Sequence, residues 1–286
     1  MTSPRSLLAA WNLRPRKHLG QNFLSDPSIA KMIVSRSSIT LDDVVLEIGA
    51  GLGALTIPLS KAANKVYAVE KDPELLKLLN TELLTHNISN VILVQQDILH
   101  FDIADIFNKE GRKLIVTGNL PYNISSQILI RLITQRNFVS QAILMFQKEL
   151  ANRLMSQSSC KDYGRLSVML QYCADIKSLT NIKASMFFPK PKVDSEVLEI
   201  KFKDRSAVSV SDEAFLFKVI KAAFGRRRKT LRNSLAGSEL QINAKTASLA
   251  LEQSEIDPQR RAETLSVKEF IHLSKNLRDM VPTKEV

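Results

Sequence analysis

The chain of 286 residues has only two cysteines, Cys160 and Cys173, and neither has the spacing of a metal site or a disulfide framework. Free thiols in a reducing compartment, and no metal, are the expectation. Long apolar runs are also missing. Nothing approaches the length needed to span a bilayer, and Trp11-Asn12-Leu13-Arg14-Pro15-Arg16-Lys17 breaks up any leader-like segment with charge and proline. These absences argue against membrane and secretory classes and point to a soluble, cytoplasmic protein. There is no internal repeat and no low-complexity tract.

What remains is a chain of ordinary globular composition, 44% hydrophobic and 24% charged, long enough for one large and one small domain. Its formal net charge is +11. An excess of that size suits a polyanionic partner, most simply nucleic acid, bound through phosphates with release of counterions.

The chain is organised around Val44-Val45-Leu46-Glu47-Ile48-Gly49-Ala50-Gly51-Leu52-Gly53-Ala54-Leu55-Thr56. An apolar run, closely spaced glycines and a helix-compatible run read as a buried strand, a tight turn and a helix start. Glycine lets a ligand lie against the main chain, and free N–H groups at the helix start form a polar cradle. Glu70 closes the next apolar run about 20 residues on, where a ribose-binding carboxylate is expected in a doubly wound fold. The glycines suit a nicotinamide dinucleotide as well as S-adenosylmethionine.

Strands are expected at about 44–48, 65–70, 91–95, 114–118, 142–146 and 193–202. They alternate with helices at 54–63, from 72, at 125–135 and at 148–155. Residues 1–24 read as a basic, irregular arm, 157–164 as a loop, 166–174 as helical or extended, and 187–192 as a proline-rigid loop. This alternation implies an α/β fold with a mostly parallel sheet covered on both faces. After Phe202 the pattern is helical only, roughly 211–224, 227–236, 243–253 and 266–278, with 203–206 as linker. The division expected is therefore 1–203, a Rossmann-like catalytic domain, and 204–286, a small helical domain.

Glu70 and Asp97 end adjacent strands, so both carboxylates overhang the crevice of the glycine turn. One can accept from ribose hydroxyls, the other from an adenine amine. Asn119-Leu120-Pro121-Tyr122 follows the next strand. The Asn119 oxygen and a nearby main-chain carbonyl can accept both hydrogens of an exocyclic amine, and Tyr122 offers a face to an unpaired base. Phe187 and Phe188 suit either the other wall of a base pocket or a plug in the core. Arg226, Arg227, Arg228, Lys229 and Arg232 crowd five cations into seven residues with no acid between them, as a phosphate-binding helix would.

Taken together, Leu19-Gly20-Gln21-Asn22-Phe23-Leu24, the glycine stretch from Glu47 to Gly53, Asn119-Leu120-Pro121-Tyr122-Asn123-Ile124-Ser125, Tyr163-Gly164-Arg165-Leu166-Ser167-Val168, Pro189-Lys190-Pro191-Lys192-Val193-Asp194-Ser195 and Arg227-Arg228-Lys229-Thr230-Leu231-Arg232-Asn233 resemble the bacterial small-subunit (16S) ribosomal RNA adenine dimethyltransferase family. The resemblance covers nearly the whole chain. It implies a Rossmann-like methyltransferase fold and S-adenosylmethionine as cofactor. The substrate it implies is two adjacent adenosines near the 3′ end of 16S rRNA in the 30S subunit or its precursor, each methylated twice by a monomeric enzyme. By the same resemblance, Asn22, Leu24, Gly49, Gly51, Glu70, Asp97 and Asn119 would hold the cofactor. Asn119, Leu120, Pro121 and Tyr122 would hold the target base with Phe187 stacked on it, and the helical domain would help dock the subunit. A nicotinamide-dependent oxidoreductase would leave Asn119–Tyr122 and the basic run unexplained. An RNA-binding assembly factor without catalysis would leave the asparagine turn without a purpose.

Overall fold

The computed structural model describes residues 3–203, 210–226, 228–278 and 280. Most of the expected linker, 204–206, and Arg227 lie outside the described residues.

The first compact unit comprises residues 1–151 and 175–203. It opens with α1 (Pro4–Ala10), where an irregular arm was expected. Ser3 caps it by accepting from the Ser6 N–H at 3.2 Å, and Leu7 and Leu8 are buried. Seven residues are too few to show helical periodicity, so packing of the two leucines decides the matter. Then come β1 (Phe23–Leu24), α2 (Pro27–Arg36), β2 (Val44–Ile48), α3 (Thr56–Ala62), β3 (Lys65–Glu70), α4 (Pro73–Thr85), β4 (Val91–Gln95), α5 (Ile103–Glu110), β5 (Leu114–Asn119), α6 (Ser125–Thr134) and β6 (Val139–Gln147). The division between units falls within α7 (Lys148–Met155). After α8 (Arg165–Cys173), the chain continues as β7 (Ala174–Ile182), β8 (Phe187–Phe188) and β9 (Ser195–Phe202).

Seven strands form one sheet in the order β4-β3-β2-β5-β6-β9-β7. β2 pairs in parallel with both β3 and β5, β3 with β4 and β5 with β6, whereas β9 runs antiparallel to β6. This is the doubly wound, Rossmann-like sheet that the alternation implied. Every residue of β2 is buried, because helices cover both faces. On α4, Leu75, Leu76, Leu79 and Leu83 face inward at helical spacing, each contributing about 2 kcal/mol of burial. β1 and β8 form a separate two-stranded ribbon. The strand β7 was not expected as such. It is an edge strand of half-exposed, mostly polar residues that carries little apolar signal.

The second unit comprises residues 152–174 and 204–286. The segment 152–174 thus packs with the helical part, although it precedes the last strands in the chain. Its other helices are α9 (Val210–Phe224), α10 (Leu231–Ala236), α11 (Ala244–Gln253) and α12 (Val267–Arg278). Phe270 is fully buried and stacks on Phe224 at 5.9 Å between ring centroids, and Tyr163 meets Phe224 edge-on at 6.4 Å. The Tyr163–Val168 motif therefore serves this core. Gly164 N–H donates to Ser167 Oγ at 3.1 Å, which starts α8.

Candidate active site

A crevice opens at the carboxyl ends of β2, β3 and β5, where the strand order turns from β3 on one side of β2 to β5 on the other. Ligands bind at that switch point in open α/β sheets because neighbouring crossovers leave in opposite directions. Residues 18–24, the glycine turn, Glu70, Asp97, Asn119 and Pro121 line it.

Gly49 has φ +71°, and a Cβ built there would meet nothing nearer than the Asn119 carbonyl oxygen at 3.9 Å. The main chain is thus open to a ligand from above. Gly51 N–H donates to Glu70 Oε2 at 3.0 Å, while Lys71 and Asp72 N–H donate to Oε1 at 2.8 and 2.9 Å. Burial pushes the Glu70 carboxyl up, and the three backbone donors pull against it. Oε2, with a single bond, keeps acceptor capacity for a hydroxyl. Asp97 accepts from Lys71 Nζ at 2.9 Å and from Leu99 N–H at 3.0 Å. The Lys71 ammonium holds its carboxyl below the usual range.

Asn119, the last residue of β5, donates from Nδ2 to the Asn22 carbonyl at 2.7 Å. A carbonyl only accepts, so this bond sets the orientation of the amide and leaves Oδ1 as a free acceptor. Leu120 is buried and roots the turn. The Pro121 and Tyr122 carbonyls accept from Ile124 N–H and Ser125 Oγ, both at 3.1 Å. The Leu120 carbonyl accepts no hydrogen bond among the described residues, and Leu120 as a whole is buried behind Asn119. Tyr122 Oη lies 2.8 Å from Ser195 Oγ. That bond joins the asparagine turn to the Pro189–Ser195 motif.

The arm over the crevice is held at both ends. Gly20 lies on the asparagine turn with φ +66°, and a Cβ there would sit 2.9 Å from Asn123 Oδ1 and 3.2 Å from Pro121 Cβ. Glycine is what permits that approach. Asp72, only 3% exposed, accepts from Arg16 Nη1 at 3.2 Å and Gln21 Nε2 at 3.1 Å while capping α4 through Glu74 N–H at 3.1 Å. Asp72 thus ties the arm to the Glu70 loop. In sequence its only signal is an Asp-Pro helix start, and its partners are remote in the chain.

Glu47 is a second group that sequence reading left without a role. It is 1% exposed, on the β2 face toward Thr56 and beside Thr117 in register. Glu47 Oε2, Thr56 Oγ1 and Thr117 Oγ1 lack hydrogen-bond partners among the described residues. Burial, reinforced by the Glu70 charge, pushes the Glu47 carboxyl up to about 8. It is therefore a neutral acid at pH 7 beneath the glycine turn.

Two expectations need correction. Phe187 does not come to the crevice. It is 4% exposed and packs in the core with Leu24, Ile33 and Val197, because β8 pairs with β1 in the register Leu24↔Phe187. Alternation turns Phe188 the other way, against Phe23. The basic run is not one helix either. α10 starts at Leu231, and Arg228 and Lys229 stand exposed in the turn before it. Leu231 and Leu235 are fully buried, so the helix begins where its apolar pair can pack. The Arg226 guanidinium lies against Gly237 at the end of α10, where a Cβ would come within 2.5 Å of it.

Residues 12–279 match the family model of ribosomal RNA adenine dimethylases. The chain is 54% identical over 286 residues, all of both chains, to ribosomal RNA small subunit methyltransferase A of Desulforapulum autotrophicum. It is 37% identical over 278 residues to the protein of that name from Clostridium botulinum, covering 97% of this chain and 99% of the other. Among solved structures, a dimethyladenosine transferase from Plasmodium falciparum is similar with a TM-score of 0.75 and 27% identity, over 88% of this chain and 95% of that one.

Proposed function

This chain belongs to the ribosomal RNA adenine dimethylase family, whose S-adenosylmethionine-dependent reaction on rRNA is the premise from which we propose its substrate and the roles of its residues. The substrate is a pair of adjacent adenosines near the 3′ end of 16S rRNA, presented in the 30S subunit or its precursor. Each receives two methyl groups on its 6-amino nitrogen, in the cytoplasm, from a monomeric enzyme that also takes part in subunit biogenesis.

The crevice fits the cofactor. The open main chain at Gly49, the carboxylate of Glu70 and the acid Asp97 one strand further suit its amino-acid end, ribose and adenine, with Asn22, Leu24 and Gly51 completing the wall. When bound, it supplies a methyl group on a positively charged sulfur. Asn119 Oδ1 and the Leu120 carbonyl take the two hydrogens of the target amine, which turns the nitrogen lone pair out of the base plane and toward that methyl. Pro121 gives the turn its direction, and Tyr122, pinned through Ser195, supplies the stacking face. Phe187, behind Leu24, backs the wall. Catalysis rests on positioning and fixed dipoles, with no strong base required.

The orientation of Asn119 by Asn22 is the observation that carries this reading. Its test is transfer of radiolabelled methyl groups to 30S subunits that lack the modification, with four methyl groups per subunit expected. Cofactor binding without incorporation would instead favour an assembly factor.

Asp97→Ala is expected to weaken cofactor binding about tenfold, as loss of a hydrogen bond to a charged group does. Calorimetry showing the parent affinity would remove Asp97 from the site. The helical unit docks the subunit through its basic turn. Neutralising Arg228 and Lys229 to glutamine should lower the slope of log affinity against log salt by about 1 to 2. An unchanged slope in filter-binding assays would place docking elsewhere.

A further inference from the structure

The chain has one tryptophan, Trp11, and it is 39% exposed. It stands at a rigid corner. Trp11 ends α1, Asn12 takes a left-handed conformation at φ 53°, and the chain closes a Schellman turn with Asn12 N–H on the Ala9 carbonyl at 3.1 Å and Leu13 N–H on the Leu8 carbonyl at 2.8 Å. Leu13 packs back against the buried cluster that holds Leu7, Leu8, Leu52 and Leu75. The corner is therefore nailed to the core, and over a third of the segment's largest apolar side chain stays open to water.

Its surroundings are basic. The first 25 residues contain no acid, and Arg5, Arg14 and Lys17 are exposed without an ion pair among the described residues. Arg16 is committed to Asp72, which anchors the arm. Seven residues after Trp11 the same arm becomes the wall of the crevice, from His18 to Leu24.

From this juxtaposition we propose that Trp11, with Arg14 and Lys17, is a docking platform for the unpaired RNA strand that flanks the target nucleotide. The inference rests on rRNA being the substrate and adds a contact outside the crevice. An exposed indole stacks on any base, and the guanidinium and ammonium groups pair with its phosphates, which is how single strands are held without reading sequence. A membrane surface suits the segment less well. The exposed face of α1 carries Arg5, Ser6, Ala9 and Ala10, with no apolar stripe to insert.

As the only tryptophan, Trp11 reports on itself. Titration with a ten-nucleotide oligoadenylate should quench its emission, more strongly at low salt, and a fully paired duplex of the same length should quench it little. Trp11→Ala should bind the oligoadenylate about 5- to 100-fold more weakly by anisotropy, and Trp11→Phe should recover part of the loss. Both variants should keep the parent melting temperature, cofactor affinity and methyl transfer at saturating 30S subunits. Parent-like RNA affinity in Trp11→Ala, or emission that oligoadenylate leaves unchanged, overturns the platform. A blue shift with anionic vesicles but not with RNA replaces it with a membrane contact. If the parent protein quenches with RNA yet transfers no methyl group, the catalytic reading fails and the platform stands.

Discussion

Asn119→Ala is expected to cut methyl transfer by at least about 100-fold, measured as radiolabel incorporated under single-turnover conditions, while cofactor affinity falls less than about tenfold. The Nδ2 bond to the Asn22 carbonyl at 2.7 Å aims Oδ1 as an acceptor. Alanine removes the acceptor proposed to orient the amine, and a misplaced nucleophile forfeits the advantage of a near-attack geometry, a loss of several kcal/mol in barrier. Asn119→Asp separates two ideas. If the site needed only an oxygen, aspartate would serve. It carries no donor for Asn22, however, and would set a carboxylate against that carbonyl, so it should also be severely impaired. Normal turnover in either variant would move the chemistry away from this turn.

The second large effect is on stability and depends on pH. The folded protein holds Glu47 protonated up to about pH 8, whereas its ordinary value is 4.5. Above pH 4.5 the unfolded chain releases this proton and the folded one keeps it. The contribution of Glu47 to stability is thus fully present below about 4.5 and is lost as pH rises through 8. The linked change is on the order of 5 kcal/mol. Glu47→Gln, neutral at every pH, should flatten the fall in melting temperature between pH 5 and 9 and melt above the parent protein at pH 9. Equal pH slopes for the two proteins, by calorimetry or circular dichroism, would show that Glu47 is ionised in the fold. At pH 5 the two should differ little, because both side chains are then uncharged.

Local chemistry made much of the molecule readable in advance. The run from Val44 to Ile48 is buried on both faces, the glycines after it turn the chain, and Glu70 and Asp97 follow strands that end at the same edge, so their meeting over one crevice needs only the rule of parallel crossovers. The stripe of leucines on α4 is a periodicity that any arrangement of the fold must bury. These features depend on neighbours within a turn or two, and one chain carries them by itself. Where the signal was short or polar it failed: α1 offers only two leucines, and β7 alternates too weakly to be seen.

That Asn22, Leu24, Gly49, Gly51, Glu70, Asp97 and Asn119 share one crevice was legible in the chain, but Phe187 was misplaced and the bonds that orient these groups were not visible. Nothing near Asn119 in the chain says that Asn22 aims its amide, that Ser195 pins Tyr122, or that Asp72 fastens an arm through Arg16 and Gln21. Nor could two adjacent phenylalanines say which faces inward until β8 paired with β1. The amino-acid sequence by itself determined the alternating strands and helices, the glycine cradle and the acids at the strand ends, because turns and periodicity act locally. The tertiary structure alone decided which atoms remain free to accept a proton or a base, because that is settled by partners distant in the chain and brought together only when the core closes.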